Sequence, residues 1–249
     1  MEHKAAIYMD WGLFFEIEIS AALIRPLLPP GITPVETNNG NAILTLNLLH
    51  FLSGGDQVDL PANNEIDFGV AVPVDNSGYQ NKGKPHAKSA VHMLNIASDS
   101  EDYLTICRDS GYCTHEGANL KFEFSPDGMN GCVLDGNGPI VTITALSMTT
   151  KNLTENITEN ITKATPEYSP FQRFGQDVIH DHRGEYRLNF IFEGEGLSEP
   201  QTDLFELTLE DHPFFRGLNN LAGKQACLSQ FALRPKKTAT LYLFAPDEA

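Results

Sequence analysis

Short segments in which apolar and polar residues alternate place the strongest limit on what this chain can fold into. Alternation with a period of two is typical of β-strands that bury one face. The segments do not alternate with long helical patterns, so β-α-β units and a parallel sheet are not expected. The predicted strands are residues 13–19, 43–49, 65–74, 90–96, 103–107, 120–124, 140–146, 187–193, 203–209 and 238–244.

Helices are predicted to be few and short. Ser20 is a suitable N-cap for a helix over residues 21–28, which the following Pro29 and Gly31 would end. A four-residue repeat over residues 151–163 places apolar side chains at helical spacing and predicts another short helix. The Asn-X-Thr sequons inside this repeat are read as by-products of the repetition. The sequence therefore predicts an α+β, strand-dominated fold with a mostly antiparallel sheet or barrel and peripheral helices.

Charge and composition exclude several classes of function. The 249 residues include 33 acidic and 17 basic side chains, which gives a formal net charge of −16. Such a balance argues against a nucleic-acid partner and against an anionic membrane surface, because both need a positive protein surface. No apolar run approaches the roughly 18 residues that span a bilayer, and no signal peptide is expected. The cysteines form no Cys-X-X-Cys pair, so we expect reduced thiols, no structural zinc and a cytoplasmic location.

A polar turn between two predicted strands is the first candidate for chemistry. His115 lies beside Glu116 in this turn, and Arg108 and Tyr112 precede them. A carboxylate next to an imidazole can hold the ring in one tautomer and increase its basicity, which suits removal of a proton α to a carbonyl. Asp67, on a predicted strand, is expected to face the same interior. The alternative interpretation is a charged loop at the end of a hairpin.

Other polar patterns carry weaker signals. There is no GxGxxG, P-loop or GxSxG motif, so the common nucleotide and hydrolase sites are not indicated. His180 and His182 could supply two metal ligands, but no spacing specifies a third, and a solvated loop is favoured. His92 lies within a predicted strand, where a hydrogen-bonded core histidine is the simpler reading. The adjacent Lys236 and Lys237 are read as a solvated turn. No metal or other cofactor is expected.

Several short motifs, taken in order, resemble the acetoacetate decarboxylase superfamily. They are residues 24–32 (IRPLLPPGI), residues 67–74 (DFGVAVPV), residues 92–94 with Arg108-Asp109, and His212-Pro213. The resemblance covers most of the chain. It implies a single domain over residues 1–249 that forms an acetoacetate decarboxylase-like antiparallel β-barrel or cone.

The resemblance also implies that the family's chemistry has changed. The family's Pro-Lys-Lys motif, which supplies a Schiff-base lysine and its activating neighbour, falls on Thr114, His115 and Glu116. The family's acidic pocket residue falls on Asp67, and its carboxylate-binding arginine falls near Asp10 or Trp11. A histidine cannot form the stable imine that decarboxylation uses as an electron sink. We therefore expect no decarboxylase activity.

The leading hypothesis is a non-decarboxylating lyase, cyclase or isomerase that enolises a small carbonyl or polyketide-like metabolite. In this hypothesis His115 is the general base, Glu116 or Asp67 is its orienter or the acid, and Tyr112 is an oxyanion donor. The expected small-molecule contacts are Trp11, Phe14, Phe68, His92, Arg108 and Phe124. We also expect a homo-oligomer.

Two alternatives stay open at this point. The first is a non-catalytic small-molecule-binding protein that holds an apolar ligand between Trp11, Phe14, Phe68 and Phe124. The second keeps imine chemistry with a displaced lysine, Lys236 or Lys121.

Overall fold

The computed structural model describes most of the N-terminal half of the chain and parts of the remainder. The backbone is described for residues 2–7, 9–53, 60–73, 89–109, 111–125, 128–145, 176–180, 186–191, 205–219, 221, 224, 226–233 and 239–244. Side chains are described for residues 10–53, 60–73, 91–109, 111–123, 130–144, 206–219, 221, 224 and 226. The helix predicted at 151–163, together with His182, Lys236 and Lys237, lies outside the described residues.

β-Strands dominate the described structure, as the alternation predicts. The strands are β1 (Glu2–Ile7), β2 (Met9–Ser20), β3 (Asn41–Phe51), β4 (Asn63–Val72), β5 (Ser89–Ser98), β6 (Thr114–His115), β7 (Asn119–Ser125), β8 (Gly128–Asp135), β9 (Gly138–Ala145), β10 (Gln176–His180), β11 (Tyr186–Ile191), β12 (Phe205–Leu209), β13 (Ala226–Leu233) and β14 (Ala239–Phe244). The helices are α1 (Ala21–Ile24) and α2 (Glu101–Asp109), and the 3-10 turns are Arg25–Leu27 and Pro213–Phe215. None of the helices in the described residues is long and apolar enough to cross a bilayer.

The strand predicted at residues 103–107 is wrong, because these residues lie in helix α2. The Ser100 hydroxyl accepts a hydrogen bond from the Tyr103 amide at 3.3 Å, which satisfies one free donor of the first helical turn. Acidic residues stand in the first turn and Arg108 stands in the last turn, an arrangement that matches the helix dipole. Tyr103, Leu104 and Cys107 are buried, so one stripe of the helix packs on the protein.

Two sheets form the body of the structure. Ten strands make the larger sheet in the order β1-β14-β11-β10-β5-β4-β3-β2-β13, with β6 added beside β5. The smaller sheet has four strands in the order β12-β9-β8-β7. β5 pairs in parallel with β6 and β10, and the other described pairings of both sheets are antiparallel. Among the described strands the larger sheet keeps two ends, so no closed barrel is seen there.

The hydrophobic core lies between the two sheets. Alternate residues of β4, namely Ile66, Phe68, Val70 and Val72, face this core together with apolar residues of β2 and β3. Val133, Ile140 and Ile143 reach it from the smaller sheet. Each fully buried side chain of this size stabilises the fold by about 1.5–3 kcal/mol. The remaining residues of β4, including Glu65 and Asp67, lie on the opposite face of the larger sheet.

A glycine lets β4 and β5 approach closely. The register between these strands shifts between Phe68 and Gly69, which marks a bulge or irregularity. A Cβ atom on Gly69 would lie 2.4 Å from Val91 Cγ1 and 2.8 Å from the His92 carbonyl oxygen. The absence of a side chain at Gly69 is therefore a condition for this pairing.

Candidate active site

His115 is positioned by a short strand that extends the larger sheet. β6 runs parallel to β5, with Thr114 beside Ile96 and His115 beside Ala97. Ala97 belongs to the hydrophobic core, and residues that pair across strands share a face. The His115 side chain therefore points toward the smaller sheet. Its ring lies edge-on to Phe214 with 5.6 Å between the centroids.

Asp135 reaches His115 from the end of β8. Its Oδ2 atom lies 2.7 Å from His115 Nε2, and its Oδ1 atom lies 2.9 Å from His212 Nε2. The exposed fractions of the side chains are 17% for His115, 5% for Asp135 and 3% for His212. One carboxylate thus joins two imidazoles, and only His115 keeps appreciable access to solvent.

The turn between β8 and β9 fixes the Asp135 carboxylate. The Asn137 amide donates to Asp135 Oδ1 at 2.6 Å, which is the local hydrogen bond of an Asx turn. Burial acts to raise the pKa of Asp135, but hydrogen bonds from the Asn137 amide, His115 and His212 outweigh it and lower the pKa to about 2. The carboxylate is therefore ionised at neutral pH and can only accept hydrogen bonds.

His212 has both ring nitrogens engaged. The Phe214 amide donates to His212 Nδ1 at 3.1 Å, and this contact caps the 3-10 turn Pro213–Phe215. Because Nδ1 accepts this hydrogen bond through its lone pair, the neutral ring carries its hydrogen on Nε2, which donates a hydrogen bond to Asp135. The same logic applies to His115, whose Nε2 faces the ionised carboxylate. Nδ1 of His115 is then the nitrogen that keeps a basic lone pair.

The same three residues offer a possible set of metal ligands. One donor atom from each of His115, Asp135 and His212 lies within 4.8 Å of the others. A metal would need the lone pair of His212 Nε2, which would force the ring hydrogen onto Nδ1, opposite the Phe214 N–H. Two donors would then face each other at 3.1 Å. This geometry fits a hydrogen-bonded relay better than a metal centre.

Comparison with solved structures reveals the same overall arrangement in known enzymes. No protein-family model matches the sequence, and no curated protein sequence matches it. An acetoacetate decarboxylase from Legionella pneumophila is similar with a TM-score of 0.54 and 13% identity, over 97% of this chain and 85% of that one. The enduracididine biosynthesis enzyme MppR in complex with pyruvate is similar with a TM-score of 0.55 and 13% identity, over 98% and 88%. The chain has the acetoacetate decarboxylase-like fold.

A further MppR structure, complexed with the condensation product of pyruvate and imidazole 4-carboxaldehyde, is similar with a TM-score of 0.52 and 13% identity, over 98% of this chain and 87% of that one. The strand-dominated acetoacetate decarboxylase-like fold expected from the short motifs is thus confirmed, although the described strands form no closed barrel. At this identity the likeness concerns the acetoacetate decarboxylase-like fold alone.

Glu116 does not orient His115. Its side chain is 64% exposed and forms an ion pair with Arg108 at 2.7 Å. Arg108 also binds Glu101 at 2.6 Å, so its guanidinium is held at the surface of α2. Glu116 follows the end of β6, and its contact with Arg108 holds its carboxylate at the surface. The orienting carboxylate in the described structure is Asp135, a residue that the sequence reading missed.

Asp67 does not share an interior with His115. Asp67 pairs with Ile96, which pairs with Thr114, whereas Ala97 pairs with His115 in the adjacent row. Adjacent rows of a sheet present their side chains to opposite faces. Of the positions on which the resemblance places Pro-Lys-Lys, Thr114 shares the face of Asp67, and His115 faces the core.

The aromatic residues expected to line one ligand pocket are divided between two faces. Trp11 packs in the core beside Phe122, with 5.1 Å between the centroids, and Phe68 packs there against Phe214 at 5.2 Å. Phe14 is buried on the other face, because it lies three positions after Trp11 along β2 and side chains alternate between the two faces. The side chain of Phe124 lies outside the described residues.

His92 and Tyr112 are both buried, with exposed fractions of 2% and 4%. His92 pairs with Val70 in the middle of the larger sheet, where the core-histidine interpretation placed it. The Tyr112 amide donates to the Cys107 carbonyl oxygen at 3.0 Å and ties the turn before β6 to helix α2.

Proposed function

We propose that this chain is an acid/base enzyme that removes a proton α to the carbonyl group of a small metabolite. His115 Nδ1 is the base in this proposal. The 2.7 Å contact between His115 Nε2 and Asp135 Oδ2 is the observation that supports it most strongly. A carboxylate in this position holds the ring in one tautomer, and His115 is the exposed member of the cluster.

The chemistry follows from the position of the proton. Nδ1 of His115 takes the α-proton, the C–H electron pair moves into the enolate, and the ring becomes an imidazolium beside the ionised Asp135. Return of the proton to another carbon gives isomerisation. Departure of a β-leaving group gives dehydration, and attack of the enolate on a second carbonyl of the same molecule gives cyclisation. Proton transfer by a positioned base contributes roughly 10²–10⁴-fold to rate.

Two further observations support a carbonyl substrate without an imine. The positions on which the resemblance places the family's lysines hold His115 and Glu116, so a Schiff base at that point is not available. The names of the structural relatives include acetoacetate and pyruvate, which are both small carbonyl compounds. These relatives motivate the substrate class for this chain, and the reaction type rests on the His115–Asp135 contact.

Deuterium exchange at the α-carbon tests the proposal. The protein would be incubated in heavy water with pyruvate, acetoacetate, acetylacetone and cyclohexanone, and exchange followed by proton NMR. We expect catalysed exchange with at least one compound, and a decrease of about 10²-fold or more in His115→Gln. Glu116→Gln is the matched control and is expected to exchange at the wild-type rate.

Three outcomes would count against the enzyme proposal. Undiminished exchange in His115→Gln would remove the base assignment. Saturable binding of a compound without exchange would favour the alternative of a non-catalytic binding protein. Borohydride trapping of a ketone adduct on Lys121 or Lys236 would favour the imine alternative.

A further inference from the structure

A second polar cluster lies on the face of the larger sheet that is opposite to the core and to His115. We call this surface the acidic face and define it by Glu16, Thr45, Asn47, Glu65 and Asp67. The register of the strands sets their arrangement, because Glu16 pairs with Thr45, Asn47 pairs with Asp67, and Glu65 is two residues from Asp67 on β4. Residues two apart on a strand share a face.

The two carboxyl groups of β4 are buried together. Glu65 is 4% exposed and Asp67 is 3% exposed, and the two residues lie two positions apart on the same face of β4. The Asn47 amide donates a hydrogen bond to Asp67 Oδ1 at 2.8 Å. Burial and the neighbouring Glu65 raise the pKa of Asp67 well above its usual range, so ionisation of one carboxyl group disfavours ionisation of the other.

The acidic face has more acceptors than donors. Thr45 Oγ1, Asn47 Oδ1 and Glu65 Oε2 are all buried and have no hydrogen-bond partner among the residues whose side chains are described. Thr45 is 6% exposed and is not part of the carboxyl pair. The lack of a hydrogen-bond partner at its hydroxyl is therefore an observation independent of the two carboxyl groups. Buried polar atoms are normally satisfied by protein, water or ligand. Asn47 Oδ1 and the Glu65 carboxylate oxygen can only accept, and Thr45 Oγ1 can accept as well as donate, so one group with several N–H donors would satisfy all three.

The described basic side chains do not supply that group. Arg25 pairs with Glu36 on the surface, and Arg108 pairs with Glu101 and Glu116. Arg216 donates to the Leu94 carbonyl oxygen at 3.2 Å, and Lys121 and Lys224 are exposed. Within the described part of the chain, the acidic face therefore has no cationic neighbour.

We propose that the acidic face is a binding site for a small organic cation with several N–H donors, of the guanidinium or ammonium type. The cation lies against Glu65 and Asp67, and its N–H groups donate to Thr45 Oγ1 and Asn47 Oδ1. A guanidinium has five N–H donors in one plane and matches several acceptors at once. This preference is opposite in sign to the carboxylate recognition that the sequence resemblance implies. It does not depend on the His115 proposal, because the two clusters face opposite sides of the sheet.

Binding of a cation is favoured when the carboxyl pair carries negative charge. The titratable described groups around the pair are Glu16 on β2 and Tyr103 and Cys107 on α2. Burial raises the pKa of Glu16, and burial with the nearby carboxylates raises the pKa of Tyr103 and Cys107 well above their usual range, which keeps the phenol and thiol neutral. Burial also raises the pKa of Glu65 to about 6. Affinity for a cation is therefore expected to increase as the pH rises from 5 to 7.5.

Isothermal titration calorimetry on the full chain tests this site. Methylguanidinium and propylammonium are the probes, urea is the uncharged donor of similar shape, and acetate is the anion of similar size. We expect methylguanidinium to bind at least tenfold more tightly than urea, to bind about tenfold more tightly at pH 7.5 than at pH 5, and to release protons at pH 5.5. Acetate is expected not to bind.

Variants locate the binding. Glu65→Gln and Asp67→Asn are expected to weaken methylguanidinium binding at least tenfold, while Glu116→Gln, an exposed acid outside the acidic face, leaves it unchanged. Thr45→Val removes one acceptor with little change in volume and keeps both carboxyl groups, so it gives a reading if the acidic variants fail to fold. The proposal would be overturned if the wild type bound no cation or bound urea as tightly as methylguanidinium. It would also be overturned if Thr45→Val and one of the acidic variants, each measured as a single substitution, both bound methylguanidinium with wild-type affinity.

Discussion

His115 Nε2 and Asp135 Oδ2 lie 2.7 Å apart although 20 positions separate the two residues in the chain. His115 is on β6 of the larger sheet and Asp135 ends β8 of the smaller sheet, so the contact crosses the interface between the sheets. A base oriented in this way depends on the packing of two layers. Small errors in that packing would misplace the imidazole and reduce catalysis.

Replacement of Asp135 by Asn should impair catalysis without removing the base. The carboxamide of the variant is neutral and cannot accept hydrogen bonds from both imidazoles as the ionised carboxylate does. His115 therefore loses the contact that fixes its tautomer. We expect the rate of α-exchange to fall at least tenfold, mainly in kcat, with a smaller change in KM. Asp109→Asn, at an exposed position after Arg108, is the matched control. An exchange rate within twofold of wild type would show that Asp135 does not position His115.

Divalent metal ions should not stabilise the protein through the His115 cluster. The Phe214 amide holds His212 Nδ1 as an acceptor, which leaves Nε2 protonated and unable to bind a metal. We expect the Tm to be the same after dialysis against EDTA and after addition of excess Zn²⁺ or Mn²⁺. A metal-dependent rise in Tm that Asp135→Asn abolishes would contradict the relay and support a metal centre.

The carboxyl pair on the acidic face should make stability decrease with rising pH. The pKa of Glu65 is raised from 4.5 to about 6 in the folded protein, so the protonated form is favoured on folding. The stabilisation is fully present below pH 4.5 and is lost as the pH rises through 6, by about 2 kcal/mol. Urea unfolding of wild type and Glu65→Gln between pH 4.5 and 7.5 measures it. Equal pH dependence in both proteins would contradict the assignment.

Gly69 should tolerate no side chain. A Cβ atom there would approach Val91 Cγ1 to 2.4 Å, and the His92 carbonyl oxygen would also be too close. We expect Gly69→Ala to destabilise the fold by about 1–3 kcal/mol, because the β4–β5 pair has to separate. Gly136→Ala is the control, since a Cβ atom at Gly136 meets nothing within 4 Å. Equal midpoints of urea unfolding for the two variants would show that the close pairing is not required.

Much of the fold could be predicted from the sequence, because apolar and polar residues alternate along a strand whose two faces lie in different surroundings. Segment 43–49 lies entirely within β3, and segment 65–74 lies within β4 as far as Val72. The prediction failed at residues 103–107, where a five-residue window fits both a strand and one face of a helix. The Ser100 cap and the basic Arg108 in the last helical turn carried the missing information, but they lie just outside that window.

The candidate site could be predicted only in part. His115 was recognisable as a histidine in a polar turn. Glu116 was the obvious partner by sequence, yet it follows the end of β6 and its side chain lies at the surface with Arg108. Asp135 and His212 are brought to His115 by the packing of the two sheets, which no local pattern encodes. The Asp-Gly-Asn-Gly sequence at residues 135–138 is typical of a tight turn, but it does not encode the direction in which the Asp135 carboxylate points.

The tautomer of His115 tests the central claim most directly, since the proposed base is Nδ1 held free by Asp135. Long-range ¹H–¹⁵N NMR of the imidazoles at pH 8 distinguishes the two ring nitrogens. We predict that neutral His115 carries its hydrogen on Nε2, that Asp135→Asn shifts the ring toward a mixture of tautomers, and that Glu116→Gln leaves it unchanged. A hydrogen on Nδ1 of wild-type His115, or a shift caused by Glu116→Gln and not by Asp135→Asn, would contradict the account.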